Sequence, residues 1–150
     1  MGGKRFVPTR RPEPIPGTRV LGLKVDNQCE IAHRGAAGLP TATIRRLARE
    51  LDVSDKQILT VTNIPESTFY ALKRDRKPLS ADASSRVYRV AKVTEAAEEF
   101  FEGDKAGARR SLTHPKVALG GATPLEFART PEGSDYVIKL LQRMEHGVIS

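Results

Sequence analysis

The sequence of 150 residues predicts an all-α protein, an N-terminal helix-turn-helix followed by a small C-terminal helical domain. Three observations carry that prediction. From about residue 41 onward, apolar residues recur at i, i+3, i+4 and i+7, the spacing of one helix face. Ser/Thr-x-x-Gln/Glu signals, which satisfy the orphan N–H groups of a first helical turn, precede two of these runs. The single strand-like stretch, Val20-Leu-Gly-Leu-Lys-Val25, is short and has no pairing partner in the sequence.

Composition narrows the class. Hydrophobic residues make up 39%, enough for one domain or two very small ones. No run approaches the roughly 18 apolar residues of a membrane span. The first twenty residues are rich in proline and arginine and lack the apolar stretch of a secretory leader. One cysteine, Cys29, rules out a disulfide framework or a Cys-rich zinc site. The expectation is a cytoplasmic protein with no cofactor, no metal and no membrane partner.

The elements follow in order. Residues 1–38 read as a basic, Pro/Gly-rich arm: Pro8, Pro12, Pro14 and Pro16 interrupt regular structure among Lys4, Arg5, Arg10 and Arg11. Gly35-Ala-Ala-Gly38 and Pro40 close it. Thr41 or Thr43 caps a helix with Ile44, Leu47, Ala48 and Leu51 inward. Ser54-Asp-Lys-Gln57 is a capping box opening a short helix with Ile58, Leu59 and Val61. Asn63-Ile-Pro-Glu66 starts a third helix, which runs to about Arg74 and buries Phe69 and Leu72. After Pro78, Ser80 caps a long helix to about Glu102, with Val87, Val90, Ala91, Thr94, Ala97 and Phe101 on one face. Asp104 caps the next, to about Leu112, with Ala108 and Leu112 inward. Ala118-Leu-Gly-Gly121 makes a turn, and Thr123-Pro-Leu-Glu126 is a complete capping box with proline at the first helical position. Thr130-Pro131 begins the last helix, with Val137, Leu140, Leu141 and Met144 inward and Gly147 as its stop.

Charge divides the chain. Residues 1–38 hold seven basic and three acidic residues, 39–79 hold eight and five, and 80–150 hold ten of each. The whole formal excess of +7 therefore lies in the first 79 residues. A positive field of this kind suits a polyanion, and two short helices joined by a tight turn within it describe a DNA-binding helix-turn-helix over 39–79. The pattern's apolar–turn–apolar positions are Ile58, Asn63 and Ile64, with asparagine where glycine is most common; it tolerates positive φ. The second helix then reads DNA. Glu66, Ser67 and Thr68 sit at its base-facing end, Tyr70, Lys73 and Arg74 follow on the outer face, and Arg74, Arg76 and Lys77 reach phosphates. Ser67, Thr68, Tyr70, Lys73, Arg74, Arg76 and Lys77 are the expected DNA-contacting set. The arm at 4–11 could track phosphate or enter the minor groove.

From residue 80 the charge is balanced, so a different partner is expected. Leu112-Thr-His-Pro115, Ala118-Leu-Gly-Gly-Ala-Thr-Pro-Leu-Glu126, Thr130-Pro-Glu-Gly133 and Arg143-Met-Glu-His-Gly-Val-Ile-Ser150 resemble the antitoxins of the Xre/MbcA/ParS group, partners of toxins with a RES domain. The resemblance covers about residues 40–150, and positions 1–38 have no counterpart in its pattern. It implies an autorepressing helix-turn-helix that binds operator DNA, and a toxin-binding domain over 80–150. It implies further that the C-terminal tail, His146, Gly147, Val148, Ile149 and Ser150, blocks the active site of an NAD-consuming toxin. A homodimer reading a palindrome and a hetero-oligomer with the toxin complete the expectation. Burying Val148 and Ile149 would contribute roughly 3–6 kcal/mol to such a contact.

The motifs at 118–126 also read as plain scaffold: two glycines for a tight turn and a capped helix. A plain helix-turn-helix repressor with a dimerising or sensing second half, and an interaction bundle with no DNA role, are the competing readings. Catalysis is not expected. His33, His114 and His146 are scattered, no metal-binding or phosphate-loop motif occurs, Cys29 near His33 lacks an orienting group, and Glu98-Glu99 reads as a solvated pair.

Overall fold

Side-chain caps set where several helices of this protein begin. The computed structural model describes residues 14–145, and every regular element among them is helical. Ser54 accepts from the Gln57 N–H while the Gln57 side chain accepts from the Ser54 N–H, so the expected capping box opens a helix over Asp55–Val61. Thr123 and Glu126 close the same reciprocal pair ahead of Pro124–Phe127, with Pro124 at the first helical position. Ser80 and Asp104 accept from Ala83 and Gly107 at the starts of Ala81–Phe100 and Lys105–Thr113. Each such cap stabilises its helix by about 1 kcal/mol.

In chain order the helices are α1 Thr18–Leu21, α2 Gln28–Ala37, α3 Ala42–Leu51, α4 Asp55–Val61, α5 Glu66–Arg74, α6 Ala81–Phe100, α7 Lys105–Thr113, α8 Pro124–Phe127 and α9 Pro131–Glu145, with a single 3₁₀ turn at Val117–Leu119. The long α6 is the axis: α1, α2, α3, α7, α8 and α9 all pack on it. Its Val87, Val90, Ala91, Val93 and Ala97 are fully buried, against Ile44, Leu47 and Leu51 of α3 and Val137 and Leu141 of α9 among others. The core is continuous from Val20 to Leu141.

Four readings change. The strand-like stretch at 20–25 begins as the turn of helix α1 and ends at Gly22, whose φ of 68° stops it. Val20 and Leu21 are buried in the shared core, so tertiary packing rather than alternation decides their state. The segment expected as an arm also carries α2, which Asn27 caps by accepting from the Glu30 N–H; residues 1–13 lie outside the described part. Neither Thr41 nor Thr43 caps α3 through its side chain: the Thr43 hydroxyl donates to the Pro40 carbonyl at 2.7 Å instead. On α9, Val137 and Leu141 are inward as expected, whereas Leu140 is half-buried and Met144 is exposed.

Candidate nucleic-acid interface and partner-binding half

The turn between α4 and α5 is built from backbone up. Thr62 ends α4, and its buried hydroxyl donates to the Ile58 carbonyl at 2.7 Å. Asn63 follows at φ 55°, the left-handed region expected of it. The Ile64 N–H then donates to the Leu59 carbonyl at 2.9 Å, and Ile58, Leu59 and Ile64 are all buried. Pro65 stands at the N-cap, extended, and α5 begins at Glu66.

One residue of this turn escapes the sequence reading. Arg86 on α6 donates from Nε to the Thr62 carbonyl at 2.6 Å and from an Nη to the Asn63 carbonyl at 3.4 Å. Asp82, one helical turn earlier, pairs with the same guanidinium. Arg86 thus satisfies two turn carbonyls and ties the helix-turn-helix to the central helix. The Asp82/Arg86 spacing signals a helix-face ion pair but not its backbone targets.

Helix α5 turns Phe69 into the core and leaves Leu72 half-buried. Its other side is open: Glu66, Ser67, Thr68, Tyr70, Lys73 and Arg74 are exposed, as are Arg76 and Lys77 beyond it. The expected DNA-contacting set is therefore all at the surface. Tyr70 is 53% exposed, with its ring edge-to-face on Phe69. Arg76, at φ 55°, turns the chain after α5, and the Lys77 N–H donates to the Leu72 carbonyl. Arg74 carries a local partner, Asp75, at 3.3 Å. Arg45, Arg46 and Arg49 of α3 add exposed positive charge, with Arg45 paired to Asp55 at 2.9 Å.

A second cluster joins the two halves. Glu98, read from sequence as solvated, is only 7% exposed. Arg19 of α1 pairs with it, with Glu50 of α3 at 3.4 Å and with Glu95 at 4.0 Å. Lys105 of α7 reaches Glu50 at 3.1 Å, and Arg109 donates to the Glu50 carbonyl at 2.7 Å. The carboxyls of Glu50 and Glu98 both meet the Arg19 guanidinium, which brings the two acids together. Burial and the neighbouring Glu50 carboxyl push Glu98 up to about 7. The proton held by Glu98, with help from Lys105 and Arg19, pulls Glu50 down to about 2. Spacing contained the signal: Glu98 continues the buried series Ala91, Thr94, Ala97 of α6, whereas Glu99 is exposed.

In the C-terminal half, the turn at 116–122 closes on itself: Lys116 and Gly121 donate to the carbonyls of Ala122 and Lys116, both at 3.0 Å, with Gly120 at φ 66° and Gly121 at φ 86°. Gly133 packs so closely on α8 that a Cβ there would collide with the Phe127 carbonyl oxygen. Thr130 caps α9 by accepting from the Gly133 N–H at 3.0 Å. The hydrogen bonds and close contacts at these positions are internal to this half. The expected blocking tail, His146 to Ser150, lies outside the described residues. Cys29 and His33 are both exposed on α2, and no group of three or more metal-ligating side chains occurs among the described residues. No helix there is long and apolar enough to cross a membrane.

Comparison with known proteins adds to this geometry. Residues 30–92 match the family model of the antitoxin Xre-like helix-turn-helix domain, and residues 96–147 that of the antitoxin Xre/MbcA/ParS C-terminal toxin-binding domain. The chain is 26% identical over 145 residues to a protein named Antitoxin Xre from Photorhabdus laumondii, covering 97% of this chain and 98% of that one. It is 27% identical to an Antitoxin Xre from Yersinia enterocolitica, over 93% and 97% of the two chains. It is 26% identical to a protein of Sphingobium named Prs ADP-ribosylating antitoxin, over 75% and 76%. The first alignment also takes in most of positions 1–38, which the motif pattern alone had left without a counterpart.

Proposed function

This chain belongs to the Xre/MbcA/ParS antitoxin family, and from that membership we propose how it neutralises its toxin and controls its own operon. It is an antitoxin of a toxin–antitoxin system, with a helix-turn-helix domain and a toxin-binding domain in succession. The toxin is a RES-domain enzyme that consumes NAD, and the segment His146–Ser150 enters its active site and blocks access. The Sphingobium relative's name fits this chemistry, since ADP-ribosylation draws on NAD. The helix-turn-helix binds operator DNA as a homodimer and represses the operon, with Ser67, Thr68 and Tyr70 toward base edges and Lys73, Arg74, Arg76 and Lys77 toward phosphates. DNA reading lies within 39–79 and toxin binding within 80–150. The protein acts by occupying its partners in the cytoplasm and performs no catalysis of its own.

The observation that carries the reading is the succession of the two matched units on one chain, divided within α6, with the positive excess wholly on the DNA side of residue 80. The test is co-expression with the protein of the adjacent reading frame. The full chain is expected to copurify with it and to restore growth. A chain lacking Gly147–Ser150 is expected to lose neutralisation; full neutralisation by the truncated chain would refute the blocking tail.

A further inference from the structure

The last helix carries more apolar surface than the core uses. A helix against a core needs an apolar stripe roughly 100° wide. On α9 that stripe is Gly133, Ser134, Val137 and Leu141, all buried, with Ile138 half-buried beside them. Tyr136, Leu140 and Met144 widen it on one flank and span roughly 80° at 100° per residue, with Met144 on the core side of that span but in the last turn of the helix. Tyr136 is 43% exposed, Met144 is 40% exposed and Leu140 is half-buried between them. Phe127 of α8 extends the stripe at its N-terminal end, with its ring edge-to-face on Tyr136 at 5.7 Å. Lys139 and Arg143, with Glu132 between them around the helix axis, are all exposed and border it on the solvent side. An apolar centre with a charged border is the anatomy of a protein-binding patch.

We propose that this flank, Phe127–Tyr136–Leu140–Met144, is the surface on which the toxin packs, separate from the tail that blocks it. The inference rests on the toxin-binding reading of this half and names its contact residues. The patch lies wholly inside the matched toxin-binding region and runs along α9 to the point where the chain passes into residues 146–150. A toxin held there is held beside the segment that must enter its active site. Side chains with this chemistry fit a shallow apolar depression on the toxin with a charged rim, carboxylates opposite Lys139 and Arg143 and a basic group opposite Glu132. Tyrosine supplies large rigid contact area, and methionine adapts to an irregular partner surface.

The test uses the full-length chain, co-purified and titrated against the adjacent-frame protein, with Met144→Asp, Tyr136→Ser and Met144→Leu. The aspartate and serine variants are expected to weaken the complex roughly tenfold or more, as loss of a central interface anchor does, with unchanged unfolding temperature for the Met144 variants. The leucine variant is expected to bind as the wild type does. Binding by Met144→Asp and Tyr136→Ser within twofold of wild type would overturn the proposal. So would an effect confined to self-association of the chain without toxin, which would assign the flank to a second copy. Failure of the wild-type chain itself to bind would instead strike the toxin reading on which the proposal stands.

Discussion

Replacing Glu98 by glutamine is expected to stabilise this protein at pH 8 and to change little at pH 4. The folded protein holds the Glu98 proton up to about pH 7, whereas the unfolded chain releases it near the ordinary 4.5. Between those values the folded state binds more protons, so stability falls as pH rises through the window and stays reduced above it. Glu50 has the opposite sign: held down to about 2, it contributes stability above 4.5 that is lost as pH falls toward 2. The Glu98 difference, at about 1.36 kcal/mol per pKa unit, sets a ceiling near 3 kcal/mol. Glu98 also borders a cavity of about 940 Å³ open to solvent, and water there screens the effect, so about 1–3 kcal/mol is expected at pH 8. Glutamine keeps the shape of the protonated acid, with its amide toward Glu50 and its carbonyl toward Arg19. Urea unfolding followed by circular dichroism at pH 4, 6 and 8 gives the measurement. A Glu98→Gln chain that is less stable than wild type at pH 8 would refute the reasoning, because it would mean that ionised Glu98 and its pair with Arg19 outweigh the proton held beside Glu50.

Four further outcomes follow from the geometry. Arg86→Ala leaves the Thr62 and Asn63 carbonyls without their donor and is expected to cost about 1–3 kcal/mol; an unchanged unfolding midpoint would remove Arg86 from the turn's support. Asn63→Val places a β-branched side chain at φ 55° and is expected to cost about 1–2 kcal/mol, while Asn63→Gly is tolerated, as thermal unfolding of the pair would show. Gly133→Ala forces α9 away from the Phe127 carbonyl and is expected to lower stability by about 1–3 kcal/mol. Arg74→Ala and Lys77→Ala are each expected to weaken operator binding and to lower the slope of log affinity against log salt by about one; an unaltered slope in both argues against phosphate contact.

Where sequence reading succeeded, each signal reported on one helix at a time. Ser54/Gln57 and Thr123/Glu126 act within four residues, so their capping boxes were legible without knowledge of the fold. The turn at Asn63 was legible for the same reason: one residue's tolerance of positive φ decides it. The capping of α3 and the presence of α2 turn on local contacts, Thr43 with Pro40 and Asn27 with Glu30. The other readings that changed depend on distant neighbours. Val20 and Leu21 alternate like a strand, but the core that takes them is supplied by helices dozens of residues away. Met144 has core spacing, yet α6 covers only one side of α9 and leaves the flank outside. Arg86 and Glu98 look like ordinary helix-surface charges until the turn carbonyls and the Arg19 guanidinium are brought against them.

The charge division then takes on a different meaning. Net charge is positive before residue 80 and zero after it, which reads from sequence as a boundary between two units. The core does not respect that boundary. α6 begins beside it, receives α3 from one half and α7 and α9 from the other, and buries its own valines among both. The Arg19–Glu50–Glu98–Lys105 cluster likewise draws on α1, α3, α6 and α7. The two proposed functions share one interior, and what separates them is surface chemistry: basic side chains and a helix-turn-helix on one side, an apolar flank on the other. A substitution inside α6 should therefore disturb DNA reading and toxin binding together, whereas substitutions on α5 or on the flank of α9 should disturb one and spare the other.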